Sequence, residues 1–290
     1  MKNVIMSVDT GIDDAMAIYL LSKYINIDYI IATSGNSYLN NTFNNTNFVV
    51  KSLNLDIPVY KGSENPLIRP HFEEKYHGEY GLADYRAENI IKKENGIVKL
   101  IDSLKKDKYT ILSTGPLTDI ALALSVEPNI SDNIEKIIIM GGAFHLNKYG
   151  NGNINNAEFN IYYDPEAAKI VFKNNINEYI IGLDVTMDPK FSMDNNDFNK
   201  IKNNNNIPGI IIKLSEYLIL KHKRLYFHDP IAALCLINEN LFKFIDADVY
   251  VDNNGITALK NASGNINKKI AIDLDYNGFK SYLYDKIFNE

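Results

Sequence analysis

The sequence contains one cysteine and no tryptophan, and it has no long apolar run. A single cysteine, Cys235, cannot form an intramolecular disulfide, which excludes a disulfide-stabilised scaffold and favours a reducing compartment. Its neighbours, AALCLI, predict a buried thiol. No stretch reaches the roughly 18 apolar residues of a membrane-spanning helix, and the opening residues MKNVIMSVD lack the pattern of a signal peptide. We therefore expect a cytoplasmic protein that does not bind a membrane.

The sequence also lacks an excess of positive charge. Its 30 lysines and arginines are outnumbered by 36 acidic residues, which gives a net charge of −6. The basic residues are scattered, whereas a phosphate backbone is bound by clustered ones, so nucleic acid is excluded as a main partner. Glycine shows no period, which excludes collagen-like and repeat architectures. With 46% hydrophobic residues, a chain of 290 residues can form a sizeable core.

Short β-branched segments alternate with amphipathic segments along the chain. Strands are predicted at residues 3–8, 29–34, 58–60, 109–113, 136–140 and 179–183, and helices at residues 13–24, 41–53, 88–104 and 164–172 and from residue 118 onward. This alternation is typical of βα units around a parallel sheet. We predict one domain over residues 1–290, of the α/β class, with an open, mostly parallel β-sheet and flanking helices.

Polar residues follow several predicted strands, and ligands collect at the carboxyl ends of strands in an open α/β sheet. The strongest cluster is Asp9, Asp13 and Asp14, around a glycine turn between a strand and a helix. Such crowded carboxylates repel one another unless a cation compensates, and Ca²⁺ takes carboxylate and carbonyl oxygens as ligands. Two interpretations stay open at this point: a divalent-cation site, or simple capping of the helix by Asp13 or Asp14. The spacing excludes an EF-hand.

Two further motifs carry polar groups. His228 and Asp229 precede Pro230 and an apolar helical run, where an ordinary helix cap is the alternative to a functional site. Glu158 and Asn160 are two residues apart in a segment that we predict to be extended, so their side chains would point the same way and could bind hydroxyl groups. An ordinary polar sheet edge is the alternative for this pair.

Taken together, these motifs resemble one known family. The segments VDTGIDDA, ATSGNS, HGEYGL, LSTGPLTDIA, IIIMGGAFH, NAEFNIYYDPEAAKIVF, GLDVT and FHDPIAA occur in the order found in the inosine-uridine nucleoside hydrolases. The resemblance spans nearly the whole chain. It implies a nucleoside hydrolase fold with a Rossmann-like core, and hydrolysis of the N-glycosidic bond of ribonucleosides to free base and ribose. It also implies a Ca²⁺ cofactor whose bound water attacks the anomeric carbon, and a homodimer or homotetramer.

The resemblance also implies roles for individual residues. The metal ligands would be Asp9, Asp14, Asp229 and the backbone carbonyl of Thr114. Asp9 would also orient or deprotonate the attacking water, and His228 would protonate the leaving base. The substrate contacts would be Asp13, Asn36, Asn153, Glu158, Asn160 and His77. His77 would lie near the base, and an ordinary surface-loop histidine is the alternative for it.

The sequence departs from the family pattern at two places. Ser7 stands where the family has a further aspartate, and such supporting groups affect metal affinity by about 10–100-fold. The segment before Glu158 is one residue shorter than in the family, so Asn151 competes with Asn153 for the ribose contact. A nucleoside- or ribose-binding paralogue with impaired catalysis is therefore the alternative function. An aspartate-nucleophile phosphohydrolase is disfavoured, because Gly11 stands where that class needs a second aspartate.

Base preference is left open by the sequence. Tyr217 and Tyr226 precede His228 and could stack on a base, although aromatic residues at helical spacing are more often part of a core. A purine, pyrimidine or broad ribonucleoside range is compatible with these residues.

Overall fold

The computed structural model describes residues 3–88, 90, 94–260 and 267–288 of the chain. Within them the strands are β1 (Val4–Val8), β2 (Tyr29–Ala32), β3 (Val59–Lys61), β4 (Tyr109–Ser113), β5 (Ile134–Met140), β6 (Glu178–Ile181), β7 (Ser192–Asp194), β8 (Arg224–Tyr226), β9 (Phe242–Asp246), β10 (Asp248–Val251), β11 (Thr257–Lys260) and β12 (Lys268–Leu274). The α-helices are α1 (Ile12–Ser22), α2 (Leu39–Ser52), α3 (Gly96–Leu104), α4 (Thr118–Val126), α5 (Phe159–Tyr163), α6 (Pro165–Lys173), α7 (Leu183–Thr186), α8 (Asn195–Ile201), α9 (Gly209–His222), α10 (His228–Ile237), α11 (Tyr276–Gly278) and α12 (Asp285–Phe288).

Eight strands form one sheet in the order β3-β2-β1-β4-β5-β6-β12-β9. All neighbouring pairs in it are parallel except β12 and β9, which are antiparallel at one edge. Two small antiparallel sheets, β10-β11 and β7-β8, lie outside it. The prediction of an open, mostly parallel sheet with flanking helices is confirmed.

Helices cover both faces of this sheet, which is why its central strands are buried and mostly apolar. Every residue of β1 is buried. Val4, Met6 and Val8 belong to one hydrophobic cluster and Ile5 to the other, as expected when side chains alternate between the faces of a strand. Helices α1 and α10 pack together on one side, and α3, α4 and α6 pack on the other.

The order of the strands determines where a ligand site can form. The chain starts at β1, adds β2 and β3 on one side, and then returns to place β4 on the other side of β1. At such a reversal the loops after the two adjacent strands diverge and leave a crevice. Asp9 directly follows β1 and Thr114 directly follows β4, so both lie at this crevice.

Two local predictions differ from the structure, and part of the second lies outside the described residues. The segment with Glu158 and Asn160 is not extended, because Glu158 caps helix α5: its carboxylate accepts hydrogen bonds from the backbone N–H groups of Asn160 and Ile161. Helix α3 begins at Gly96, with Asn95 as its cap, rather than near residue 88. Residues 89 and 91–93 of that predicted helix lie outside the described residues.

The longest helices, α2 and α9, have 14 residues each. Of the helices in the described part of the chain, none combines the length and the apolar character needed to cross a bilayer.

Candidate active site

A cavity of about 250 Å³ opens at the crevice beside β1 and β4. Its lining consists of Asp9, Asp13, Asn36, Glu74, Tyr76, His77, Thr114, Met140, Asn153, Glu158, Phe159, Asn160, Met187, Tyr226, His228 and Asp229. Five of these described lining residues are carboxylates, and the lining has no lysine or arginine. A cavity of this composition suits a cation or a neutral polar molecule and disfavours an anion.

Asp9 lies at the base of the crevice, where the backbone at Gly35 and at Gly115 comes close to its side chain. A side chain at Gly35 or at Gly115 would collide with the Asp9 carboxylate, so only glycine fits at these two positions. The backbone N–H of Asn36 donates a 2.7 Å hydrogen bond to Oδ2 of Asp9. One oxygen of Asp9 is thereby fixed.

Asp14 lies in the first turn of α1, where the helix dipole favours negative charge. Its Oδ2 accepts a 2.8 Å hydrogen bond from the backbone N–H of Gly11, and its Oδ1 accepts a 2.7 Å bond from the hydroxyl of Thr114. The carboxylate therefore joins the loops that follow β1 and β4. Asp14 is fully buried and is not among the described residues that line the cavity.

Three carboxylates form a group that could hold a metal ion. Oxygens of Asp13, Asp14 and Asp229 lie within 4.8 Å of one another. Oδ1 of Asp13 is buried and accepts no hydrogen bond from the described residues. This grouping differs from the carboxylate set that the family resemblance implies, which has Asp9 in place of Asp13. Asp9 lines the same cavity as Asp13 and Asp229, and the charges of Asp14 and Asp13 both contribute to its raised pKa.

Burial raises the pKa of all four carboxyl groups, Asp9, Asp13, Asp14 and Asp229. Repulsion from neighbouring carboxylates raises the pKa of Asp9, Asp14 and Asp229 further. Several ionised carboxylates out of water and close together are unfavourable unless a positive charge offsets them. Oxygen donors in this arrangement fit a hard divalent cation.

Glu158 and Asn160 reach the cavity from the start of α5. Oε1 of Glu158 accepts a hydrogen bond from the Asn160 backbone, and Oε2 accepts bonds from the N–H groups of Gly142 and Ile161. Burial raises the pKa of Glu158 to about 7. The amide nitrogen Nδ2 of Asn160 donates a 2.7 Å bond to the backbone carbonyl of Thr114. Both polar side chains are thus held rigidly at the wall of the cavity.

His77 lies in a 3₁₀ turn, Lys75–His77, that passes over the N-terminus of α1. The backbone N–H of Ile12 donates a 3.1 Å hydrogen bond to Nδ1 of His77. This nitrogen is therefore an acceptor, and Nε2, 3.5 Å from Oδ1 of Asp13, carries the hydrogen of the neutral ring. Burial lowers the pKa of His77 to about 4, which agrees with a neutral imidazole.

His228 and Tyr226 line the cavity together. Their rings are nearly parallel, with centroids 5.8 Å apart and an interplanar angle of 23°. Nδ1 of His228 lies 2.8 Å from Oγ1 of Thr186. Burial lowers the pKa of His228, and the charge of Asp13 opposes this effect.

The structure shows where Asn151, Asn153 and Tyr217 lie, which the sequence left open. Asn153 lines the cavity, whereas the amide nitrogen Nδ2 of the exposed Asn151 donates to the carbonyl of Lys148. Tyr217 packs against the core from α9, and its hydroxyl accepts a bond from Lys221. Tyr217 is not among the described residues that line the cavity.

Sequence reasoning missed five lining residues, namely Glu74, Tyr76, Met140, Phe159 and Met187. Two of them adjoin predicted site residues, since Tyr76 precedes His77 and Phe159 lies between Glu158 and Asn160. That proximity was an available signal. Met140 ends strand β5, and Glu74 and Met187 lie in segments whose path depends on tertiary packing.

Comparison with known proteins agrees with this geometry. The sequence profile described as "Inosine-uridine preferring nucleoside hydrolase" matches residues 4–281. The chain is 31% identical over 311 aligned positions to the pyrimidine-specific ribonucleoside hydrolase RihA of Escherichia coli strain SMS-3-5, covering 98% of this chain and 97% of that protein.

Solved structures show the same fold. The purine-preferring ribonucleoside hydrolase from Gardnerella vaginalis superposes with a TM-score of 0.88 at 28% identity, covering 99% of this chain and 98% of that one. A plant nucleoside hydrolase, PpNRh1, gives a TM-score of 0.89 at 25% identity, covering 100% and 99%. Because sequence and fold agree over nearly the full length of both chains, this protein belongs to the inosine-uridine preferring nucleoside hydrolase family and is a hydrolase that acts on N-glycosyl compounds.

Proposed function

We propose that this enzyme hydrolyses ribonucleosides of the inosine and uridine class to free base and ribose. The observation that carries the proposal is the cavity lining, which combines carboxylates with aromatic rings and has no basic side chain among its described residues. Carboxylates beside a sugar stabilise the positive charge that develops as a glycosidic bond breaks. The rings of Tyr76 and Tyr226 suit a planar base. Residues 1–290 act as one domain in this proposal, because β12 shares a sheet with β1.

The proposed cofactor is Ca²⁺, with Asp9, Asp14, Asp229 and the backbone carbonyl of Thr114 as ligands. All four are hard oxygen donors of the kind that Ca²⁺ takes. The grouping of buried carboxylates supports a cation at this place. So does Oδ1 of Asp13, which accepts no hydrogen bond from the described residues and lies 3.5 Å from Nε2 of His77. When bound, the ion would align the ribose hydroxyls and make a water molecule more acidic.

Asp9 and His228 carry the proposed proton transfers. Asp9 orients the attacking water and accepts its proton, since it lines the cavity and the backbone N–H of Asn36 fixes one of its carboxylate oxygens. His228 delivers a proton to the leaving base. Because burial lowers the pKa of His228 and the charge of Asp13 opposes this, Asp13 helps His228 to be protonated.

The proposed substrate contacts are Asp13, Asn36, Asn153, Glu158, Asn160 and His77, all of which line the cavity. Glu158 and Asn160 are already oriented by hydrogen bonds to the backbone, so little ordering is required when substrate binds. The neutral ring of His77 can form a hydrogen bond without adding charge next to the base.

The test is release of reducing sugar from inosine and from uridine by the purified protein. Activity should disappear with a calcium chelator and return when Ca²⁺ is restored. Asp9→Asn should abolish it, whereas Asp246→Asn, which changes an exposed aspartate in β9, should leave it intact. The ratio of the two rates would assign the substrate class.

A different result would favour the alternative function. If neither nucleoside is cleaved but calorimetry shows that nucleoside or ribose binds, the protein is a binding paralogue, and Ser7 and the short segment around Asn153 are the first places to examine.

The cellular and oligomeric proposals rest on the resemblance and on the lone cysteine. Cys235 is buried and free, which agrees with a reducing, cytoplasmic environment. We propose a homodimer or homotetramer. Light scattering of the purified protein tests the assembly, and a monomer at micromolar concentration would contradict it.

A further inference from the structure

His222, the last residue of α9, contacts the cavity wall from outside. Its ring stacks on the ring of Tyr76 with a centroid distance of 4.1 Å and an interplanar angle of 17°. Its Nε2 also lies 3.1 Å from the backbone carbonyl of Tyr76. Since a carbonyl oxygen can only accept, Nε2 of His222 carries the hydrogen and donates it. One side chain therefore fixes both the ring and the backbone of Tyr76.

Tyr76 is the residue through which this contact reaches the cavity. Tyr76 is part of the lining, whereas His222 is not among the described lining residues. The ring of Tyr76 also meets the ring of His77 edge-on, with centroids 5.0 Å apart at 80°. Tyr76 thus has His77 at its edge and His222 against its face.

The segment that carries Tyr76 is fixed at its other end as well. The ring of Phe72 packs against the rings of Phe159 and Tyr163, at centroid distances of 5.8 Å and 5.4 Å. At the near end, His77 is bound to the N-terminus of α1. Between these anchors Tyr76 packs against the hydrophobic core, and His222 contacts both its ring and its backbone.

The geometry points to His222 as a positioning residue that holds the Tyr76 ring in the wall of the cavity and so strengthens binding of the nucleoside base. This inference rests on the proposed function, because it takes a nucleoside as the ligand. His222 does not touch the reacting atoms. Its contribution should therefore fall on binding of substrate and transition state alike, so that its removal raises KM and leaves kcat nearly unchanged.

The experiment compares three substitutions by steady-state kinetics with inosine and uridine. His222→Ala removes both contacts, His222→Phe keeps the stacked ring, and His222→Gln keeps a hydrogen-bond donor. Leu220→Ala, at an exposed position of the same helix turn, is the matched control. Ribose is used as a competitive inhibitor, because it occupies the sugar part of the site and lacks a base.

His222→Ala should raise KM by about tenfold, the size of one aromatic contact and one hydrogen bond together, with kcat changed by less than about threefold. The inhibition constant of ribose should stay unchanged, and His222→Phe should recover part of the KM. The inference is overturned if kcat falls while KM is unchanged, if ribose binding weakens by the same factor as nucleoside binding, or if Leu220→Ala has an equal effect.

Failure of the proposed function is distinguishable from failure of this inference. If the wild-type protein cleaves neither nucleoside, the proposed activity is wrong, and the dissociation constants of inosine and of ribose are then measured by calorimetry in wild type and His222→Ala. A selective loss of inosine binding still supports the positioning role. Equal affinities in the two proteins contradict it.

Discussion

Oγ1 of Thr186 lies 2.8 Å from Nδ1 of His228, although the two residues are 42 positions apart in the chain. Thr186 ends α7 and His228 begins α10, so the contact joins two helix ends at the cavity. When the hydroxyl donates to Nδ1, the hydrogen of the neutral ring is on Nε2. The contact thus orients the ring that we propose to protonate the leaving base.

This arrangement predicts that the loss of activity caused by His228→Ala depends on the leaving group of the substrate. His228→Ala should lower kcat on inosine or uridine by about 10²–10⁴-fold, the usual contribution of general acid catalysis. It should have little effect on p-nitrophenyl riboside, because p-nitrophenolate leaves without being protonated. Thr186→Val should act in the same direction but more weakly, since the ring remains and only its orientation is lost.

Asp9→Asn is the matched comparison for that prediction. It should slow hydrolysis of both the nucleoside and the nitrophenyl riboside, because both need the attacking water. Equal losses on both substrates for His228→Ala would show that His228 does not act as the proton donor.

The effect of Asp229→Asn on thermal stability should depend on whether Ca²⁺ is present. Without Ca²⁺, Asp229→Asn should be at least as stable as wild type, because it removes one of several crowded buried carboxylates. With Ca²⁺ at about 100 times its dissociation constant, the wild type should gain about 2.7 kcal/mol and the variant much less.

Differential scanning calorimetry with chelator and with Ca²⁺ measures both effects. Asp246→Asn, at an exposed aspartate, should respond to Ca²⁺ like the wild type. A Ca²⁺ response that persists in full in Asp229→Asn would place the ion elsewhere.

Ser7 offers a test of the departure from the family pattern. Its side chain is 1% exposed, and its hydroxyl has no hydrogen-bond partner among the described residues. Its backbone carbonyl accepts a 2.9 Å bond from the N–H of Thr114, which an alanine would keep. Ser7→Ala should therefore leave the free energy of unfolding unchanged or raise it slightly, with activity within about twofold of wild type. A tenfold loss of activity would instead assign the hydroxyl a supporting role at the site.

Glu178 should make stability fall as pH rises. Burial raises its pKa from 4.5 to about 8, with the charge of Lys268 opposing the shift. Between these values the folded protein holds a proton that the unfolded chain has released, so the free energy of unfolding decreases from about pH 4.5 to pH 8. Glu178 also forms a 3.7 Å ion pair with the buried Lys268, which the substitution breaks. Glu178→Gln should therefore flatten this slope, so that the stability of the variant relative to wild type rises with pH.

Urea denaturation at several pH values measures that slope. Lys268 still has Asp248 at 3.8 Å in the variant, so its charge is not left alone. Glu135→Gln, at an exposed site on the neighbouring strand β5, is the control and should leave the slope unchanged. An unchanged slope in Glu178→Gln would show that Glu178 is ionised throughout this range.

Much of the fold could be predicted because the signals were local. Strand β4 has the predicted bounds, and α4 begins at the predicted residue, Thr118. The segment around Glu158 was misread as extended, because the carboxylate caps the helix that follows it and burial of Phe159 and Ile161 stabilises that helix. Neither effect is visible in the alternation of residue types.

The sequence by itself determined the alternation of strands and helices, the acidic cluster after β1 and the order of motifs that identifies the family, since all of these are encoded in neighbouring residues. Only the tertiary structure decided that Asp13 lies with Asp14 and Asp229, that Asn153 rather than Asn151 lines the cavity, and that His222 stacks on Tyr76. These contacts join segments far apart in the chain. Their geometry depends on how loops pack on the finished sheet, which no local pattern of residues specifies.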